Sequence, residues 1–343
     1  MENIETLAYL DHNVLDLMTK GDPHEVKIFL RENKLTPVFS EETMKEIHRS
    51  KGYESVFLTL LVEIGAKYIE PVLDEKFKQT GSANIFTVNP QECYQQYLEK
   101  LSEFPGGDFG MSDLLMKFYG GKESTSFEEL FSQGHDELQN YLKEILNDVC
   151  NDDISGEMAL EVEKLKSVIE ELPDILKTQT NFATQELSKL ASSPVKSFEE
   201  TTGIGPLVLK NITSPNVVIK IWDKICDKIN VPDIELETFF GITPQDFEED
   251  SGRERTLLEK VNAIYHQLNF IGYFRDSNMK KERRFRASFS DMTHAGIATF
   301  CHIFLCRDAD LVMKTAAAYE YLGIETKIYH YKTNKRPNRK KAK

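Results

Sequence analysis

"LAYLDHNVLDL" occupies residues 7–17, an apolar run stopped by Asp11, His12 and Asn13 and then resumed at helical spacing. A short apolar segment followed by a 3.6-residue period reads as a strand handing over to a helix. Asp11 then stands where the strand ends, and two explanations compete for it. Asp and Asn accept hydrogen bonds from the free N–H groups that open a helix, which stabilises the helix by about 1 kcal/mol. A carboxylate at the carboxyl end of a parallel strand also stands where open α/β sheets bind their ligands. The second explanation requires other carboxylates at similar places.

The same rhythm continues outward. Strand "TPVFS", helices "HEVKIFLREN", "EETMKEIHRS" and "SVFLTLLVEIG" and strand "AKYIEPV" fill the first seventy or so residues. Towards the other end come helices "RTLLEKVNAIYHQLNFIGY", "SDMTHAGIATF" and "ADLVMKTAAAYEYLG", with strands "CHIFLC" and "IETKIYHY". Alternation of this kind predicts an α/β fold with a parallel sheet flanked by helices. Between the two halves the pattern is mainly helical. Residues 72–256 carry 35 of the 56 Asp and Glu residues but only 17 of the 42 Lys and Arg, so this stretch is strongly acidic within a chain of net charge −14. The expected organisation is therefore a split α/β domain, 1–71 and 257–331, an acidic helical insertion, 72–256, and a basic tail, 332–343.

Cys93, Cys150, Cys226, Cys301 and Cys306 show neither C-x-x-C pairing nor zinc-finger spacing, which fits reduced cysteines in a cytoplasmic protein. No apolar stretch reaches the roughly 18 residues that span a bilayer, so no membrane partner is expected. The acidic insertion would repel nucleic acid and suits a protein partner or self-association.

Four acids meet the requirement set by Asp11. Glu46 lies one turn past Glu42 on the helix after the second strand, with Met44 and Ile47 able to face inward. Asp291 is expected to open a helix behind a Ser290 cap. Asp308 follows the strand "IFLC", with Asp310 two residues on. Two unit charges about 4 Å apart at an effective dielectric near 20 repel by about 4 kcal/mol. Convergent acids therefore need raised pKa values or a hard divalent cation such as Mg²⁺ or Mn²⁺. Such cations activate water and stabilise charge on a phosphate under attack.

"YLDHNVL", "PVFSEETMKEI" and "SDMTHAGIATFCHIFLCRDADLVMKTAAAYEYLGIETKIY", in that order, resemble the PIN-like nuclease domain, particularly larger bacterial members with an insertion between the sheet halves. The resemblance covers residues 1–71 and 257–331. It implies that Asp11, Glu46, Asp291 and Asp308 are the catalytic acids and, with Asp310, the metal ligands. Asn13 would stand behind them as the family's asparagine partner. His294, three residues after Asp291 on the same helix face, reads from its spacing either as a general acid or phosphate contact behind the acids or as a histidine satisfied by one of them. The activity implied is Mg²⁺- or Mn²⁺-dependent endoribonuclease cleavage of single-stranded or structured RNA, with toxin-like growth arrest or phage defence as a role. His12 and Cys306 depart from the family pattern, which often has a small hydroxyl residue and Thr at those places.

"MKKERRFRASF" puts Lys280, Lys281, Arg283, Arg284 and Arg286 beside Phe285 and Phe289 just before Asp291. Arg with aromatic residues can hold a single strand by phosphate contact and base stacking, so this segment is expected to bind RNA. Residues 327–343 carry eight Lys and Arg and no acid, either an electrostatic arm or a solubilising end. His48, His135, His266 and His302 lack metal spacing. "TTGIGPLVLKNI" has the Gly-x-Gly turn of DNA-binding helical hairpins, but Pro206 can equally start a helix. Two other readings stay open. One is a haloacid-dehalogenase-like phosphatase, which would want an acid where Asn13 stands. The other is a PIN-like module that binds a partner without catalysis.

Overall fold

A computed structural model of the chain describes residues 5–22, 25–103, 108–150, 157–229, 231, 233–243 and 253–332. The chain divides into two compact units. The first comprises Met1–Glu103, Ile204–Asp276 and Ala287–Lys343, and the second Phe104–Gly203 and Ser277–Arg286.

The first unit begins β1 (Thr6–Leu10), α1 (His12–Thr19), α2 (Val26–Glu32), β2 (Leu35–Phe39), α3 (Glu41–Arg49), α4 (Glu54–Glu63), β3 (Lys67–Leu73), β4 (Gln79–Phe86) and α5 (Pro90–Glu103). The second unit follows with α6 (Met111–Phe118), α7 (Phe127–Cys150), α8 (Glu157–Ser188) and α9 (Pro194–Thr202). The chain then returns to the first unit through α10 (Pro206–Leu209), α11 (Val217–Ile225), α12 (Leu236–Phe239) and α13 (Leu257–Ile271). Helix α14 (Glu282–Ile297) starts within the segment grouped with the second unit, and β5 (Ile303–Cys306), α15 (Ala309–Leu322) and β6 (Lys327–His330) complete the first.

The six strands form one sheet in the order β4-β3-β2-β1-β5-β6. The fold is α/β as expected, but the sheet is mixed: β4 runs antiparallel to β3 while every other pairing is parallel. Strand β4 is not legible from local pattern because its residues are mostly exposed, without the apolar alternation that marks a half-buried strand. Asp74 makes the hairpin, its Oδ1 accepting from the N–H groups of Lys76 at 2.8 Å and Lys78 at 2.9 Å. From β1 the chain builds outward through β2 and β3, then returns to the other side of β1 to lay down β5 and β6. The order reverses between β1 and β5, which is where doubly wound sheets open a ligand crevice at their carboxyl ends.

Strand alternation sorts the two faces. Ala8 and Leu10 of β1, with Ile303 and Leu305 of β5, join a core with Val14, Leu15, Phe39, Met44, Ile47 and Leu61. Each fully buried large apolar side chain contributes about 1.5–3 kcal/mol. Tyr9 and Phe304 point the other way, their rings 6.1 Å apart. Thus β1 turns a phenol, not a hydrocarbon, towards the second face.

The first unit also takes in residues 72–103 and 204–256, which the sequence reading places in the insertion. Hydrogen bonds explain this. Beyond the β3–β4 pairing, Tyr94 of α5 is buried in the sheet core and bonds His48 at 3.0 Å. Glu320 of α15 accepts from Ser214 Oγ at 2.7 Å and from the Val217 N–H at the start of α11 at 3.3 Å. Pro206 occupies the first turn of α10, so "GIGP" is a helix start.

In the second unit α7 packs along α8, with Leu146, Val162 and Ile169 buried. Pro173 sits inside α8 and cannot donate to the Ile169 carbonyl. Gln139 of α7 supplies the missing donor, its Nε2 lying 2.9 Å from that oxygen. Gln139→Ala is expected to destabilise the α7–α8 pair by about 1 kcal/mol, read as a lower urea midpoint, because a carbonyl left bare in a helix packing face loses its compensation. Met158, Leu165, Val168, Ile175 and Phe182 of α8 are exposed. No helix among the described residues is long and apolar enough to cross a membrane. The expected basic tail lies outside the described residues except for Lys332.

Candidate metal centre

Asp11 directly follows β1, and its N–H extends the parallel ladder to the Leu305 carbonyl at 2.9 Å. It occupies the N-cap position of α1, yet its carboxylate makes no cap hydrogen bond. Oδ2 accepts from Asn13 Nδ2 at 3.2 Å, and Oδ1 is buried with no hydrogen-bond partner among the described residues. Asp11 is 1% exposed. A bare buried carboxylate oxygen is costly, and its own side chain gains nothing from capping.

Glu46 comes from α3, whose start is fixed by a capping box between Ser40 and Thr43. Met44 and Ile47 are buried, which turns Glu46 towards α14. There its Oε2 lies 2.8 Å from His294 Nε2 and 3.8 Å from His12 Nδ1. His294 is fully buried, and its Nδ1 lies 2.7 Å from the Tyr9 hydroxyl, which in turn lies 2.7 Å from Ser40 Oγ. A protonated His294 donates at both nitrogens, to Glu46 and to Tyr9, leaving Tyr9 to donate to Ser40. The chain of bonds ties β1, α3 and α14 together behind the crevice. Asp11, Glu46 and His294 each present a ligand atom, and these atoms all lie within 4.8 Å of one another.

The charges sort unevenly. Burial pushes the Asp11 carboxyl up to about 6, opposed by His294 and reinforced by the charge of Glu46. Burial also works to raise Glu46, but the charge of His294 and its hydrogen bond hold that carboxyl down at about 2. Burial disfavours a charged His294, yet Tyr9, Glu46 and Asp11 hold the imidazole well above the ordinary histidine value. Glu46 and His294 therefore form a satisfied ion pair, and Asp11 does not share in it.

Asp291 does not open a helix. It lies within α14, which starts nine residues earlier, and Ser290 caps nothing but donates to Glu42 instead. The basic run before it is itself helical, so the small-residue segment never needed its own start. Burial and the charges of Asp11, Asp276 and Glu46 push the Asp291 carboxyl well up. Asp308 is the N-cap of α15, its Oδ1 accepting from the N–H groups of Asp310 at 2.7 Å and Leu311 at 3.1 Å. Burial and then the charge of Asp308 push up Asp310. Neither Asp291, Asp308 nor Asp310 enters the tight group of Asp11, Glu46 and His294. Glu42 is separate again: it is buried and neutralised by Arg49 at 3.0 Å and Lys45 at 3.5 Å.

The basic residues Lys280, Lys281, Arg283, Arg284 and Arg286 are exposed, within the segment grouped with the second unit. Arg286 pairs with Glu282 at 2.6 Å. The stacking role expected of Phe285 is corrected, because that side chain is 2% exposed and packs near Tyr119. Phe289 is half-buried with its ring 5.9 Å from that of His266. Apolar burial of a ring on the inner side of an amphipathic helix removes it from any base.

Sequence reasoning missed Tyr9, Tyr265, Asp276 and Lys314. Lys314 carried a signal: with Leu311, Thr315 and Ala318 it falls on one helical stripe, and all four are buried. Lys314 Nζ lies 2.7 Å from Asp276 Oδ1, 3.1 Å from the Phe274 carbonyl and 4.6 Å from the centre of the Tyr265 ring. Asp276 and Tyr265 had no such pattern, since one follows α13 in a loop and the other looks like ordinary core.

Asp11, Glu46 and His294 could hold a metal ion, and the bare Asp11 oxygen is an atom such an ion would satisfy. Fold and site thus define an α/β protein with a buried carboxylate–histidine cluster at the switch point of its sheet. Comparison with family models, with curated proteins and with solved structures finds no match to this chain.

Proposed function

We propose that the protein is a metal-dependent endoribonuclease of the PIN-like type. The observation that carries this reading is Asp11 at the carboxyl end of β1, with an unpartnered buried Oδ1 and a carboxylate that offers a ligand atom within 4.8 Å of one from Glu46 and one from His294. A metal there would supply Lewis-acid stabilisation of a phosphate and an acidified water. The chain's own residues divide the remaining work. Asn13 fixes the rotation of the Asp11 carboxylate through Oδ2. His294 orients Glu46 and keeps it ionised, so that its second oxygen is presented as an anion at any ordinary pH. Asp291, whose carboxyl responds to the charges of Asp11 and Glu46, would add a further acid; within the second unit, the exposed cations from Lys280 to Arg286 are of a kind that binds phosphates.

Asn13 weakens the haloacid-dehalogenase-like alternative, because the residue two places after Asp11 donates to it and cannot act as a second acid. The test is incubation of the full chain with labelled single-stranded RNA, structured RNA, DNA and a phosphomonoester, in Mn²⁺, Mg²⁺ or EDTA. Internal cleavage of RNA that vanishes in EDTA is the expected result. Phosphomonoester turnover without strand cleavage would transfer the site to the phosphatase reading.

A further inference from the structure

A site with several acids near it raises the question of how many divalent ions it needs. Two of its carboxylates already have resident cations. Glu46 is paired with His294, and Asp276 with Lys314, whose side chain is 0% exposed. Asp276 is also saturated: Lys314 takes Oδ1, while Ser288 Oγ donates to Oδ2 at 2.6 Å and itself accepts from Asn269 Nδ2 at 2.9 Å. No lone pair of Asp276 is presented to the crevice without competition. The contrast with Asp11, which has a bare buried oxygen, is direct.

Ser288 and Asp291 lie three residues apart on α14, so the Asp276–Ser288 bond sets that carboxylate about one helical turn from Asp291. The Tyr265 hydroxyl is buried without a hydrogen-bond partner among the described residues. Its ring carries the Lys314 ammonium on its face, so the phenol separates the lysine from open solvent. With Glu46 and Asp276 paired, Asp11 is left as the buried acid with a bare oxygen and no resident cation.

We propose that Lys314 is a built-in cation of this centre: it holds Asp276 where a second metal ion would otherwise bind, so that the site takes one divalent ion, on the Asp11 side. Lys314 is accordingly a positioning residue and touches no substrate. A tethered ammonium has fixed stoichiometry and cannot be lost to a chelator, whereas a second ion would come and go with its concentration. The inference rests on the metal-dependent reading above.

Mn²⁺ binding to the full chain, counted by electron paramagnetic resonance and by calorimetry, tests it. Wild type is expected to bind one ion, Lys314→Met two, and the Lys314→Met, Asp276→Asn double variant one again. Two ions in folded wild type, or one ion in folded Lys314→Met, would overturn the proposal while leaving the metal-dependent reading intact. No ion in wild type would overturn both. If Lys314→Met does not fold, Lys314→Gln takes its place: two ions support the proposal and one overturns it.

Discussion

Asp11→Asn is expected to lower metal-dependent RNA cleavage by about a thousandfold or more and, in the same preparation, to raise the melting temperature of the metal-free protein. The first effect follows from the value of a catalytic metal, several kcal/mol, where about 4 kcal/mol corresponds to a thousandfold in rate. The second follows from burial. Asp11 has its carboxyl pushed up to about 6, so at neutral pH the folded protein carries an ionised group in a place that disfavours it. Asn keeps the shape and removes the charge. An Asn side chain of the same shape still offers an oxygen to Asn13, so the substitution removes the charge and can keep that bond. Asp308→Asn is the companion: an amide oxygen can still accept from the N–H groups of Asp310 and Leu311, so the α15 cap survives while the anion is lost. Activity assays in Mn²⁺ and melts in EDTA on these two variants measure both quantities. An Asp11→Asn protein that cleaves RNA at the wild-type rate would sink the assignment.

Stability of the metal-free protein should fall as pH rises from about 4 to about 6, and Mn²⁺ should stabilise it far more at pH 7 than at pH 5. The ordinary aspartate value is 3.8 and that of folded Asp11 about 6. Between these values the folded state holds the extra proton, so unfolding becomes easier as pH climbs, by about 3 kcal/mol in all. Asp291, also pushed up, acts in the same direction. The Glu46–His294 pair behaves oppositely. Glu46, held down at about 2, contributes stability that is present above the ordinary glutamate value of 4.5 and is lost as pH falls towards 2. His294, held up, contributes stability that is complete below the ordinary value of 6.5 and lost as pH rises through its folded value. Across pH 5–6 that pair is constant and the raised acids set the slope. Urea unfolding in EDTA at half-unit steps from pH 4 to 8 reads the profile directly. A curve flat across that window would mean that Asp11 is not an uncompensated buried acid.

Local pattern made much of the first unit legible. Alternating short apolar runs and helical periods located β1, β2, β3, β5 and β6 to within a few residues; β1, β2 and β5 are legible because a parallel strand buried on both faces is apolar nearly throughout. The same logic placed Asp11 after β1 and Asp308 before α15. Local pattern failed where a hydrogen bond or a distant partner did the work. An Asp74-organised turn and pairing with β3 make β4, and neither leaves an apolar period. The start of α14 lies in a run of basic residues that reads as a solvated face, so local pattern suggests a helix opening at Ser290 and Asp291 where the chain has an interior turn.

By itself, then, the sequence determined the α/β alternation, the reversal of charge between its parts and which acids stand at strand ends, since these depend on residues close in the chain. Tertiary structure alone decided which acids are bare and which are satisfied. Glu46 meets His294 across 248 residues, Asp276 meets Lys314 across the gap from the end of α13 to α15, and Tyr9 reaches α14 from β1. A carboxylate's ionisation depends on what burial and folding bring within a few ångströms of it, and no spacing along the chain encodes that.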